Sequence, residues 1–377
     1  MAEEDRISGL PDQVLVDILS RLPSTIVVHT RILSNRWKNL WRSVPTVDID
    51  STFFNDAFPL INHPNHPKHR FFQFAASLIL ALTKDAKQAI LNFRLKCNNH
   101  YFCQCYDVKL WVDTIVRRSV EEIEISLPPH TLINLPLSVV TCQTLVVLKI
   151  EHLIVDLKGS VVQLPRLKTL HIDGAVLPKS LYLCLLLNGV PNLEDLKIKS
   201  LAPRYDGGDD GGSMPYVSGL SHSFPKLMRA DVSSVAINIS DLRLSYVTGT
   251  SLTTFCNLIH MKLCMFDCKW GSLVRLLGFC PVLRILHVDE ASDERSALGL
   301  KNEPVPDCMW RLRECTITNF RSVDADLEFA TYILQNARVL LRMNIRSTSS
   351  LSQEERMELL QDLCMIPMIS RACLVLF

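Results

Sequence analysis

Apolar residues recur along this chain with two different periods, and the switches between them divide it. Near the start, Val14, Ile18 and Leu22 fall at i, i+4 and i+8 with Leu15 beside them, which predicts a short amphipathic helix opened by Leu10–Pro11–Asp12. Pro11 suits a first helical turn, and Asp12 complements its dipole. Pro23 breaks this pattern. A second helix is predicted to follow and to end in Leu33–Ser34–Asn35–Arg36–Trp37–Lys38–Asn39–Leu40–Trp41, where Leu33, Trp37, Leu40 and Trp41 sit at i, i+4, i+7 and i+8. A piece this small buries too little surface to seal a core alone. Two tryptophans on so short an apolar helical surface point to a docking plug, which implies a partner.

The Pro-punctuated stretch 63–69 is expected to be a connector that no helix continues through. Beyond it, residues 71–82 are predicted to be helical and 89–97 to form a strand. Residues 107–119 are again predicted helical, with Val108, Trp111, Val112 and Ile115 on one face.

An internal repeat then takes over. Leu164–Pro165–Arg166–Leu167–Lys168–Thr169–Leu170–His171–Ile172 is echoed by Val190–Pro191–Asn192–Leu193–Glu194–Asp195–Leu196–Lys197–Ile198 and by Cys280–Pro281–Val282–Leu283–Arg284–Ile285–Leu286–His287–Val288. Looser copies begin at Val120, Leu145, Leu227 and Leu258, so that successive copies start 22 to 34 residues apart. Leucine-rich repeats of the L-x-x-L-x-L type run at about 20–29 residues; the two longer intervals are expected to carry insertions. Each unit supplies one short strand whose apolar side cannot be buried alone, so neighbours are expected to stack into a solenoid. The glycine-rich stretch 206–213 falls in the longest interval and is expected to be a loop.

Past Glu303–Pro304–Val305–Pro306 the pattern changes. Strands are predicted at 310–317, 339–346 and 372–377, and helices at 326–336 and 352–363, the last with Ser352 as N-cap and Glu355 at the capping-box position. This α+β module is expected to cap the open end of the repeats.

Composition narrows the function. Hydrophobic residues make up 48% of the chain, which implies a large core. Forty basic against thirty-nine acidic side chains leave a net charge of +1, which argues against nucleic acid or an anionic membrane as partner. No apolar run approaches the roughly 18–20 residues of a membrane span. The acidic start, without an apolar signal region, leads to an expected cytoplasmic or nuclear location. The thirteen cysteines are then expected to be mostly reduced thiols.

Candidate chemistry is sparse. Cys97, His100, Cys103 and Cys105 are crowded into nine residues, and Cys103-x-Cys105 lacks the C-x₂₋₄-C spacing of structural zinc sites, so a loop with free thiols is expected. His63, His66 and His69 are read as a solvated connector. Residues 206–213 lack the EF-hand ladder and its terminal Glu. No nucleophile elbow, zincin motif, phosphate loop or dinucleotide fingerprint is present. The expectation is a non-catalytic protein with no metal and no cofactor.

The three blocks, in this order, resemble the plant F-box/leucine-rich-repeat/FBD proteins. Leu10–Pro11–Asp12, Ile18–Leu19–Ser20–Arg21–Leu22–Pro23 and the Leu33–Trp41 string match the F-box pattern. Tyr332–Ile333–Leu334–Gln335–Asn336–Ala337–Arg338–Val339–Leu340, Met343, Ile345 and Ala372–Cys373–Leu374–Val375–Leu376–Phe377 match the FBD part. Ile26 stands where relatives often carry a polar or small residue, and Arg31 where the residue is usually small. The resemblance implies an α/β chain with an N-terminal helical F-box at 1–50, a linker at 51–70, a leucine-rich-repeat solenoid with an N-terminal capping segment at 71–300, and a C-terminal α+β FBD module at 301–377.

It further implies a substrate adaptor of a Skp–cullin–F-box ubiquitin ligase. The F-box would dock on a Skp-type linker, and through it on a cullin–RING ligase, while the repeats hold an unknown substrate protein. The linker-facing set carried over is Leu10, Pro11, Val14, Leu15, Ile18, Leu22, Pro23, Val28, Leu33, Trp37 and Trp41. In each L-x-x-L-x-I unit the residue between the last two apolar positions points to the opposite face. That row reads Glu124, Lys149, His171, Lys197, Asp231, Lys262 and His287. Lys149, His171, Lys197, Lys262 and His287 are therefore candidate contacts to an acidic or phosphorylated substrate, against the plainer reading of solvated strand positions. The alternative is a repeat scaffold that binds a protein partner with no ligase attached, its F-box no longer docking.

Overall fold

A computed structural model describes residues 7, 9–54, 67–84, 89–98, 105–129, 131, 133–179, 181–203, 224–233, 255–265, 270–290, 300, 303–320, 324–347 and 353–376. The chain divides into two compact units, Met1–Leu167 and Lys168–Phe377. Both mix helix and strand.

The first unit opens with helices α1 (Asp12–Leu19) and α2 (Ser24–His29). Each follows a proline in extended conformation, Pro11 and Pro23, whose ring carries the chain into the first turn. The single second helix predicted from the apolar spacing is instead interrupted. After α2 comes one 3-10 turn (Thr30–Ile32), then a non-helical stretch, then the short helix α3 (Trp37–Leu40). The Thr30 hydroxyl donates back to the Val27 carbonyl at 2.7 Å, the kind of local bond that competes with helix propagation.

These helices do not seal a core among themselves. Helix α2 closes onto strand β1 (Thr46–Asp50), where the Ser24 hydroxyl accepts the Asp48 backbone N–H at 2.8 Å. Leu15, Val16, Leu19, Val27, Trp37, Leu40 and Val44 are buried with Val47 and Ile49.

Helix α4 (Pro67–Lys84) begins inside the expected connector, with proline at its first position. It buries Phe71, Ala75, Leu78, Ile79 and Leu82. Strand β2 (Asn92–Lys96), helix α5 (Cys105–Val116), β3 (Glu122–Ser126) and β4 (Val147–Glu151) complete the unit. The predicted face of α5, Val108, Trp111, Val112 and Ile115, is buried, and the Trp111 ring meets Phe71 edge-on at 6.1 Å. The four strands run parallel and in register, Thr46 beside Asn92, Asn92 beside Glu122, Glu122 beside Val147. Alternate residues bury Phe93, Leu95, Ile123, Ile125, Leu148 and Ile150 on one face.

The second unit is a longer parallel ladder. Its elements are β5 (Thr169–Asp173), β6 (Val176–Leu177), α6 (Leu181–Asn188), β7 (Asp195–Lys199), β8 (Ala202–Pro203), β9 (Arg229–Ser233), β10 (His260–Met265), α7 (Trp270–Leu277), β11 (Ile285–Glu290), β12 (Glu314–Phe320), α8 (Asp324–Asn336), β13 (Arg342–Ser347), α9 (Gln353–Met365) and β14 (Leu374–Leu376). Among the described residues eight of these strands pair in the order β5-β7-β9-β10-β11-β12-β13-β14, every pairing parallel, while β6 and β8 form a separate small pair.

The reason lies in the repeat. A leucine just ahead of each strand (Leu167, Leu193, Leu227, Leu258, Leu283) is buried, as are the inward strand residues Leu170 and Ile172, Leu196 and Ile198, Met261 and Leu263, Leu286 and Val288. The C-terminal segment expected to cap the repeats instead continues them. Leu312, Cys315 and Ile317, then Leu340, Met343 and Ile345, bury the same positions in two further rungs, the first pairing onto β11 and the second onto the first. Trp310, predicted to start a strand, ends a 3-10 turn (Asp307–Trp310), and the Arg338 guanidinium lies 3.9 Å from its ring centre.

Among the outer helices, the Trp270 ring of α7 stacks on Phe329 of α8 at 4.0 Å and its indole N–H donates to the buried Asp326 at 3.2 Å.

Cys142, Cys280, Cys308 and Cys315 are buried thiols, and burial pushes Cys308 and Cys315 up to about 12. Cys97 is the exception to the reduced-thiol expectation: it is buried at the end of β2 and disulfide-bonded. Residues 99–104 of the expected loop, the stretch 206–213, His63, His66 and the cap formed by Ser352 lie outside the described residues. Among the described residues no helix is long and apolar enough to cross a membrane, and no group of three His, Cys, Asp or Glu is placed to hold a metal.

Candidate partner-binding surfaces

On α1 the helical period sorts the apolar residues onto two sides. Leu15, Val16 and Leu19 face inward, whereas Val14 and Ile18, one turn apart, are 40% and 46% exposed. Ile26 on α2 and Ile32 and Leu33 after it are also exposed, up to 79% at Ile32. Of the linker-facing set, then, Pro11, Val14, Ile18 and Leu33 are exposed, and Leu10, Leu22, Pro23 and Val28 are half-buried.

Leu15, Trp37 and Trp41 are buried inside the unit. Trp37 and Trp41 share a helical face, and that face is turned into the unit. Ile26 and Ile32 were not in the set. Their apolar character in a stretch already carrying Val27 and Val28 was the available signal.

The positions of α1 and the following turn are fixed by one arginine. Arg36 donates from Nε to Asp12 Oδ1 at 2.8 Å, and its Nη2 reaches both the same carboxylate and the Leu10 carbonyl. One side chain thereby ties the L-P-D opening of α1 to the turn before α3. The Trp41 indole N–H donates to the Lys38 carbonyl at 3.1 Å, anchoring the last of these turns.

The second candidate surface is the outward row of strand residues. In the first unit this row runs Asp48, Arg94, Glu124, Lys149, in register and alternating in sign. Arg94 lies 3.4 Å from Asp48 and 3.3 Å from Glu124, while Lys149 lies 3.5 Å from Glu122 and 3.8 Å from Glu124. Burial lifts the Asp48 carboxyl above its usual range, opposed by the neighbouring Arg94. Lys149 is thus met by carboxylates already present.

In the second unit the row runs His171, Lys197, Asp231, Lys262, His287, Thr316, Asn344. Four of the five candidate substrate contacts share this ladder, as their spacing implied, and Lys149 belongs to the other unit. The row is not uniformly basic. Asp231 stands between Lys197 and Lys262, and His171 Nε2 lies 3.7 Å from Asp195. Burial, and then the nearby Lys262, hold the His287 imidazole below its usual value. The result is a half-buried face of interleaved charge.

Residues 7–47 match the F-box domain, and residues 301–345 match FBD. The F-box/FBD/LRR-repeat protein At5g56420 of Arabidopsis thaliana is 28% identical over 99% of both chains. The putative FBD-associated F-box protein At5g56560 of the same plant is 28% identical over the full length of both. A third, the F-box/FBD/LRR-repeat protein At5g22660, is 32% identical over 52% of this chain and 40% of its own length. The chain therefore carries an F-box and an FBD domain, and its end-to-end similarity is that of the plant F-box/leucine-rich-repeat/FBD proteins.

Proposed function

We infer that this protein is a non-catalytic substrate adaptor of a Skp–cullin–F-box ubiquitin ligase, its F-box docking on a Skp-type linker and its repeats binding a substrate protein. The observation that carries this reading is the exposed apolar surface of Val14, Ile18, Ile26, Ile32 and Leu33, within the stretch that matches the F-box domain. Burying one such side chain fully is worth roughly 1.5–3 kcal/mol, so a partner covering a few of them gains enough to hold a complex. The adaptor's contribution is proximity: it raises the effective concentration of substrate lysines near an enzyme held elsewhere in the assembly.

Co-expression with a plant Skp-type linker tests it. The parent chain is expected to co-elute with the linker, and Val14→Asp/Ile18→Asp/Leu33→Asp to elute alone while keeping the parent's circular dichroism. A folded parent chain that never co-elutes would overturn the ligase reading in favour of a solitary repeat scaffold.

A further inference from the structure

Along the second unit, the residues just ahead of the strands form two rows. Immediately before β7, β9, β10 and β11 stand Glu194, Met228, Ile259 and Arg284. Three positions before β9, β10, β11 and β12 stand Lys226, Asn257, Val282 and Arg311. Parallel pairing sets each rung about 4.8 Å from the next, so the two rows run side by side. Between them lies an open groove of about 470 Å³.

Its character differs from that of the strand face. Met228, Ile259 and Val282 give it an apolar lining across three rungs, and Lys226, Arg284 and Arg311 add three exposed cations. The one acid in its lining, Glu194, is held by Lys168 at 3.0 Å. Among the described residues none of the three cations has an acidic partner. The contrast with the ion-paired Lys149, Arg275 and Arg342 is direct. Asn257 is committed to the Pro225 carbonyl, which steadies the turn.

We propose that this groove, rather than the outward strand row, is where the protein takes its substrate, and that the ligand is an extended peptide segment in which an apolar side chain is flanked by carboxylates. The apolar lining takes the central side chain. The cations meet the acidic groups on either side, and two of them, being guanidinium groups, can do so with paired hydrogen bonds. The proposal rests on the adaptor reading, and its test keeps the two separable.

A random linear peptide library would be selected on the purified full chain bound to its Skp-type linker, and the enriched peptides measured by fluorescence polarisation. Enriched sequences are expected to place Asp or Glu on both sides of an aliphatic or aromatic residue and to weaken as salt is raised. Lys226→Glu/Arg284→Glu/Arg311→Glu is expected to weaken them at least about tenfold, while Lys197→Glu/Lys262→Glu leaves them within about twofold and both variants still co-elute with the linker. Enrichment of peptides without acidic residues, equal binding to the groove variant, loss on the strand-face variant instead, or no enrichment at all would each overturn the proposal. Failure to co-elute would count against the adaptor reading alone, because peptide selection can be repeated on the isolated chain.

Discussion

Leu15 and Ile18 lie less than one turn apart on α1 and are expected to respond in opposite ways to substitution. Leu15 is fully buried, so Leu15→Ala should cost about 2–5 kcal/mol and Trp37→Ala about 3–5 kcal/mol, read as lower thermal midpoints. Ile18→Asp should leave the midpoint nearly unchanged and abolish linker binding. Helical spacing showed that Trp37, Leu40 and Trp41 share a face, but not that the face turns inward. Burial of all three shows that it does. The bond from Arg36 to Asp12 was equally hidden, since two exposed polar residues 24 positions apart carry no periodic signal.

His287 gives the residue scale a pH dependence. Its folded value is lowered by burial and by Lys262, so the unfolded chain takes up the proton first as pH falls. The stability it confers is present above the unfolded value near 6.5 and is lost as pH drops through that value toward the folded one. His287→Gln should flatten this part of the profile in urea titrations across pH 5–7.

At the scale of elements, the ladder does not stop where the obvious repeats do. β12 and β13 take their buried positions from Cys315 and Met343 rather than from leucine, and their strands begin at the charged Glu314 and Arg342. The L-x-x-L-x-I signature is blurred there, which is why this segment read as a separate module. Pairing onto β11 predicts shared cooperativity. Met343→Ala should cost about 2–5 kcal/mol and speed amide exchange in β11 as well as in β12–β14; a change confined to residues beyond 301 would show an independent cap. Helices α4, α5 and α8 were legible because each carries a long stretch with one apolar face. The broken helix after α2 was not, because the back-bonding of Thr30 is a property of local geometry.

For the whole molecule, the F-box surface belongs to the first unit and the groove to the second, so their functions should separate. The Val14→Asp/Ile18→Asp/Leu33→Asp variant is expected to bind selected peptides as the parent does, by fluorescence polarisation, although it no longer meets the linker. Near-zero net charge argues against a partner drawn by the overall field alone and is silent on local patches. A sum of charges cannot show a patch made of cations from three rungs beside apolar residues.

The ladder has one further consequence. In each rung the letters that hold the fold, such as Leu196 and Ile198, are different letters from those that line the groove, such as Glu194, Met228 and Arg284. A duplicated gene can therefore drift toward a new target one rung at a time, rewriting what it captures while inheriting its foldedness unchanged.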